Sequence, residues 1–136
     1  IASLGKNIEV IAKARIEIES MRRMVLTAAK AMDELGNEAA RVWVSAVKAM
    51  VPIRVCHIID EAIQIHGAAG VSQWTPLADM YTSQRTLRLA DGPDEVHWFV
   101  VGRAELRRWE EEGGIKYDPK ADYYSEDSKT VLTAGI

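Results

Sequence analysis

The chain has 136 residues, 48% of them hydrophobic, and 17 Lys and Arg against 20 Asp and Glu give a formal charge of -3. That length supplies one packed domain rather than two, and the charge carries no cationic excess of the kind that marks a nucleic-acid-binding surface. Charge interrupts the apolar runs before any reaches the ~20 residues of a membrane span, and one cysteine, Cys56, beside His57, His66 and His97 makes neither a disulfide nor a structural zinc spacing.

Ile1 stands already inside an apolar periodic pattern, so the chain reads as a piece of a longer protein. Leu4, Ile11, Ile18, Val25 and Met32 recur every seven residues, with Ala14, Met21, Ala28 and Leu35 at the intervening offset. This is the seam of one long helix in a bundle core, and Gly36-Asn37 ends it. A second helix is expected over 38–66, either kinked at Pro52 or divided there, because proline removes a backbone donor and clashes with the preceding turn. Cys56 within it is a small buried side chain. Gly67-Ala68-Ala69-Gly70 is a small-residue loop where backbone can come close to a ligand or another chain.

Pro76 opens a third, shorter helix to about Leu89. Asp91-Gly92-Pro93-Asp94-Glu95 combines a turn with a helix start, with Pro93 at the first helical position and two acids where the helix dipole favours them. A fourth helix follows to about Glu112, and Gly113-Gly114 ends it. The expected organisation is a partial helical bundle over 1–112 and an extended tail over 113–136. The fold class is all-α, an up-down bundle, with no strand-period segment. Trp74, Trp98 and Trp109 are read as packing residues, and His97 as a rim or surface histidine.

Generic chemistry is sparse: there is no His-Glu-x-x-His helix, phosphate-binding loop or nucleophile elbow, and no metal is expected. A set of segments in fixed order carries more. Gln64-Ile65-His66-Gly67-Ala68-Ala69-Gly70, then Pro76, then Ala90-Asp91-Gly92-Pro93-Asp94-Glu95-Val96, then Arg103-Ala104-Glu105-Leu106 resembles the C-terminal signature of the acyl-CoA dehydrogenases. The resemblance covers roughly Leu4 to Arg108. The Asp91–His97 wording is most similar to the subgroup that in animals and plants can carry a kinase-like domain upstream.

The resemblance implies an FAD-dependent enzyme that oxidises a saturated acyl-CoA to the trans-2-enoyl-CoA and passes electrons to an acceptor. It implies that most of the flavin and acyl site lies in an N-terminal part outside this chain, and that the first helix of the C-terminal bundle is missing too. Gln64, Ile65, His66, Gly67 and Ala68 would approach the FAD of a partner subunit in a homodimer or homotetramer. Ala68 stands where the family has a second glycine, which is tolerable only if that backbone needs no left-handed angle.

Asp91 would occupy the place of the family's Glu base, which takes the α-proton while hydride leaves Cβ for the flavin. Its backbone N–H would support the thioester carbonyl. Gly92 would let the thioester lie against the backbone, Pro93, Asp94 and Glu95 would replace flavin contacts, and Arg103 would match an arginine near the CoA thioester. The implied compartment is mitochondrial, peroxisomal or bacterial cytoplasmic. Two other readings stand beside this one: a nitroalkane-oxidase-like flavoenzyme, suited to an aspartate base, and a non-catalytic helical oligomerisation module.

Overall fold

The computed structural model describes residues 2–113, so the expected tail, apart from its first residue, lies outside the described residues. Four helices are present and, among the described residues, no strand: α1 (Gly5–Ala39), α2 (Arg41–His66), α3 (Leu77–Thr86) and α4 (Asp94–Glu111). A 3-10 turn, Gly67–Val71, follows α2. α1 bends at Gly36, which takes φ 80 and ψ 169, so its regular part ends where glycine was expected to stop it. α2 runs through Pro52 undivided. Proline leaves the Lys48 carbonyl without the N–H that would close that turn.

α2 is the hub. α1, α3 and α4 each pack on it and, among the described residues, not on one another. Arg54 Nη1 donates to Glu17 Oε2 at 2.5 Å, and the earlier α1 residues Lys6, Val10 and Lys13 line a groove with the later α2 residues His57, Ile58 and Glu61, so α1 runs antiparallel to α2. The close approach of Gly70 to the Ile63 backbone, followed by the hydrogen bond from Lys48 Nζ to the Leu87 carbonyl, shows α3 descending along α2 from its C-terminal end. α4 continues in the same direction, since its later turns line a groove with Arg41 and Val42. The up-down alternation therefore holds for α1, α2 and the α3–α4 run, which together form one antiparallel partner broken in the middle. Residues 87–93 are that break.

Small side chains let the helices approach: Ala40 and Ala49 are 0% exposed, and Ala28, Ala31, Met21, Cys56 and Ile59 are buried beside them. Burial pushes the Cys56 thiol up from its ordinary value, as suits a packing residue. The α1 seam departs from expectation. The buried face uses Met21, Ala28 and Ala31, whereas Leu4, Ile11, Ile18, Val25 and Met32 are exposed, because α1 has one helical neighbour and its apolar arc is wider than one neighbour covers. Trp74 (92% exposed), Trp98 and Trp109 are likewise exposed within the described residues, contrary to the packing role expected of them.

The run Arg41–Val71 is long and apolar enough to cross a membrane by length and composition; Lys48 is the one charge between Val42 and Ile53. The same run is the central helix on which every other helix packs, and a core helix passes such a test on composition alone.

Candidate active site

The break between α3 and α4 displays Asp91. After Thr86 the chain makes successive turns, with Leu89 and Ala90 N–H groups donating to the Thr86 carbonyl at 2.9 Å. Asp91 then takes φ 56 and Gly92 φ 98. Among the described residues Asp91 is the one non-glycine with positive φ. That conformation costs an L-residue about 1 kcal/mol or more and is best tolerated by Asp and Asn. Pro93, extended at φ -67 and ψ 162, is the N-cap of α4 rather than its first helical residue. The Asp91 side chain is exposed.

Three side chains hold this turn. Lys48 Nζ donates to the Leu87 carbonyl at 2.5 Å and to the Gly92 carbonyl at 3.2 Å. His97 Nε2 lies 3.2 Å from the Asp91 carbonyl. A carbonyl only accepts, so Nε2 carries the proton in this contact. The imidazole also covers Gly92, where a Cβ would stand 3.1 Å from Nε2. Arg88 Nε donates to Asp94 Oδ2 at 2.6 Å, and the Asp94 N–H donates to the Arg88 carbonyl at 3.2 Å. The side-chain hydrogen bond to the Asp94 carboxylate raises the Arg88 pKa. Asp94, expected among the cofactor contacts, is 6% exposed and turned into the bundle, with Oδ1 buried and unpartnered. Pro93 and Glu95 remain exposed.

The second cluster closes α2. Gln64, His66, Gly67 and Ala68 are exposed and Ile65 is half-buried. Gly67 has φ 58, and nothing lies within 4 Å of a Cβ built there. The left-handed angle falls on Gly67, and Ala68 has none, which meets the condition set for alanine at that position. His66 Nδ1 is 2.8 Å from the Ala62 carbonyl, so it donates there and leaves Nε2 as an outward acceptor. The exposed side chains and open Gly67 backbone leave this end of α2 accessible. Gly70 has the opposite setting. A Cβ there would meet the Ile63 carbonyl oxygen at 2.6 Å, so the close approach it permits is to the end of α2 just before it.

Arg103 stands apart from both. Its guanidinium carbon is 5.9 Å from the Phe99 ring centroid, within cation–π reach. It lines an open groove of about 630 Å³ between α4 and the start of α2, with Arg41, Val42, Val96, Phe99 and Arg107 among the walls. Nine residues separate Asp94 from Arg103, about 13 Å along the helix axis. On α2, Lys48 marks the level of the Asp91 turn, and the sixteen residues from 48 to 64 put Gln64 about 24 Å away along the axis. The structure thus gathers Asp91 to Glu95 into one turn and holds Gln64 to Ala68 and Arg103 at two other stations.

The segment order matches a known pattern at the level of the whole domain: the family described as "Acyl-CoA dehydrogenase, C-terminal domain" matches residues 8–106. The chain belongs to this family. It is 55% identical over 97 residues to acyl-CoA dehydrogenase family member 11 of Rattus norvegicus, covering 71% of this chain and 12% of that protein. It is 47% identical over 108 residues to FadE2 of Mycobacterium tuberculosis, which is assigned as an acyl-CoA dehydrogenase, covering 79% of this chain and 26% of that one. A solved structure from Mycobacterium abscessus, assigned to the same enzymes, aligns with TM-score 0.77 and 48% identity over 79% of this chain and 26% of its own. The chain therefore spans between about an eighth and a quarter of these relatives.

Lys48, Arg88 and the contact of His97 with the turn were not found as site features from the sequence. Lys48 had a signal, a single charge in an otherwise apolar stretch of α2. Arg88 had none, since an arginine six residues before an aspartate is commonplace on a helical surface.

Proposed function

We propose that this chain is the part of an FAD-dependent acyl-CoA dehydrogenase that presents the proton-abstracting carboxylate, the whole enzyme converting a saturated acyl-CoA to the trans-2-enoyl-CoA. The observation that carries the reading is the Asp91 turn: an exposed carboxylate on a strained, side-chain-held Asp-Gly pair, in the break of a helix, where the family places its base. FAD, when bound, supplies the acceptor for the hydride leaving Cβ. The α-proton goes to an Asp91 carboxylate oxygen, and the Asp91 N–H supports the thioester carbonyl as negative charge builds on it.

Gly92, without a side chain, leaves room for the thioester beside the turn. Arg103, with its charge over Phe99, attracts the anionic CoA end. Pro93 and Glu95 are the exposed flavin-side candidates of their segment. Asp94, turned into the bundle, acts through the Arg88 pair that anchors the turn. Gln64, Ile65, His66, Gly67 and Ala68 lie too far along α2 to serve the same end of one flavin as Asp91, which favours their engaging the FAD of a partner subunit in a homodimer or homotetramer.

Asp91→Asn keeps the side-chain size and the turn while removing the base. In the full-length enzyme its flavin content should stay normal, and anaerobic flavin reduction by acyl-CoA should slow at least ~100-fold, the lower end of general-base catalysis. Reduction at nearly the normal rate would place the base elsewhere. Because aspartate is the shorter carboxylate, a nitroalkane substrate is the second reading; flavin reduction by a nitroalkane but not by any acyl-CoA would favour it.

A further inference from the structure

The Asp91-Gly92 pair stands in a left-handed conformation, with no helix of its own to hold it. Its two carbonyls point to opposite supports: that of Asp91 toward His97 on α4, and that of Gly92 toward Lys48 on α2. Lys48 Nζ also takes the carbonyl of Leu87, the C-cap of α3, so one ammonium spans the break from the cap of one helix to the turn before the next. It does so from a half-buried position in an apolar stretch of the hub helix. Nothing else from α2 donates a side-chain hydrogen bond to residues 87–93 among the described residues.

We propose that Lys48 is a positioning residue for the reaction: by binding the Leu87 and Gly92 carbonyls together, its ammonium sets where the Asp91 carboxylate stands relative to the substrate α-carbon. This rests on the reading of Asp91 as the base. The chemistry is sensitive to such placement, since proton abstraction needs the carboxylate at contact distance, and an aspartate has less reach than a glutamate to make up for a turn that retracts. Removing the ammonium leaves two carbonyls repelling across the break and frees the turn to relax from positive φ.

The test uses the full-length enzyme with Lys48→Met, Asp91→Asn and the double variant. Lys48→Met should keep its flavin and bind acyl-CoA within about threefold of normal, while anaerobic flavin reduction falls roughly ten- to a hundredfold, the scale of a misplaced reacting group. Amide exchange over 87–92 should quicken at least about tenfold, with 97–110 unchanged, a readout independent of catalysis. In the Asp91→Asn background Lys48→Met should cost less than about threefold further, because Lys48 acts through Asp91.

Normal reduction or unchanged exchange in Lys48→Met, with Asp91→Asn inactive, overturns the proposal and leaves the base in place. An equal loss in both backgrounds also overturns it, since Lys48 would then support the fold alone. Should Asp91→Asn remain active, the base reading falls and this proposal falls with it. If Lys48→Met fails to hold flavin, Lys48→Gln replaces it: a neutral amide keeps one carbonyl, so reduction should be intermediate. A normal rate, or a loss of flavin in that variant too, rejects the proposal.

Discussion

Asp91 combines two demands that pull on residue type in opposite directions. A base at this place gains reach from a longer side chain, whereas the positive φ favours Asp and Asn over Glu, whose side chain has no short hydrogen bond to its own backbone to offset the strain. As the proposed base, aspartate at 91 has the shorter reach, and Lys48, His97 and the Arg88–Asp94 pair are the side chains bonded to the turn that would hold it forward. Arg103 is a simpler case. Its guanidinium is exposed and its visible partner is a phenylalanine ring, so truncating it removes charge without leaving a buried acceptor unpaired. Arg103→Ala should weaken acyl-CoA binding several-fold, on the order of 1 kcal/mol for an exposed charge, with flavin content unchanged. Titration of the oxidised enzyme with a substrate analogue measures this, and an unchanged affinity would return Arg103 to the surface.

At the scale of the elements, α2 decides the layout. Its length spans both the Asp91 turn and the Gln64 loop, and its continuity through Pro52 keeps those stations at a fixed separation. The 3-10 turn after it is sealed by Gly70, whose α-carbon lies against the Ile63 backbone. The clash that a Cβ would create there is with a main-chain oxygen, which cannot rotate away as a side chain can. Gly70→Ala should therefore destabilise the loop by about 1–3 kcal/mol, the usual cost of overpacking. Amide exchange over 63–71 in the full-length enzyme should rise accordingly; unaltered protection would mean that the turn shifts freely.

For the whole molecule the notable feature is what stays uncovered. Ile11, Ile18, Val25 and Met32 form a stripe along α1, and Trp98 and Phe99 project from α4. Apolar surface on that scale is rarely left to water in a working protein, and the distance between the Asp91 and Gln64 stations favours flavin sites completed across subunits. We expect the full-length enzyme to sediment as a dimer or larger. A strict monomer that retains its full complement of FAD would refute the shared site.

Sequence periodicity was enough to establish four helices, the stop at Gly36, the turn at Asp91-Gly92 and the all-α class, because capping residues and apolar spacing are local and act wherever they stand. Segment order was enough to place the family, and with it the candidate residues from Gln64 to Ala68, Asp91 to Glu95, and Arg103. Periodicity could not say which half of the α1 stripe faces inward, since that depends on how many neighbours pack on the helix, and one neighbour covers only the Met21, Ala28 and Ala31 side. Nor could it show Asp94 turned inward or Lys48 reaching the turn. Lys48 and Gly92 are 44 residues apart in the chain, and only the packing of the α3–α4 run against α2 brings the ammonium to that carbonyl.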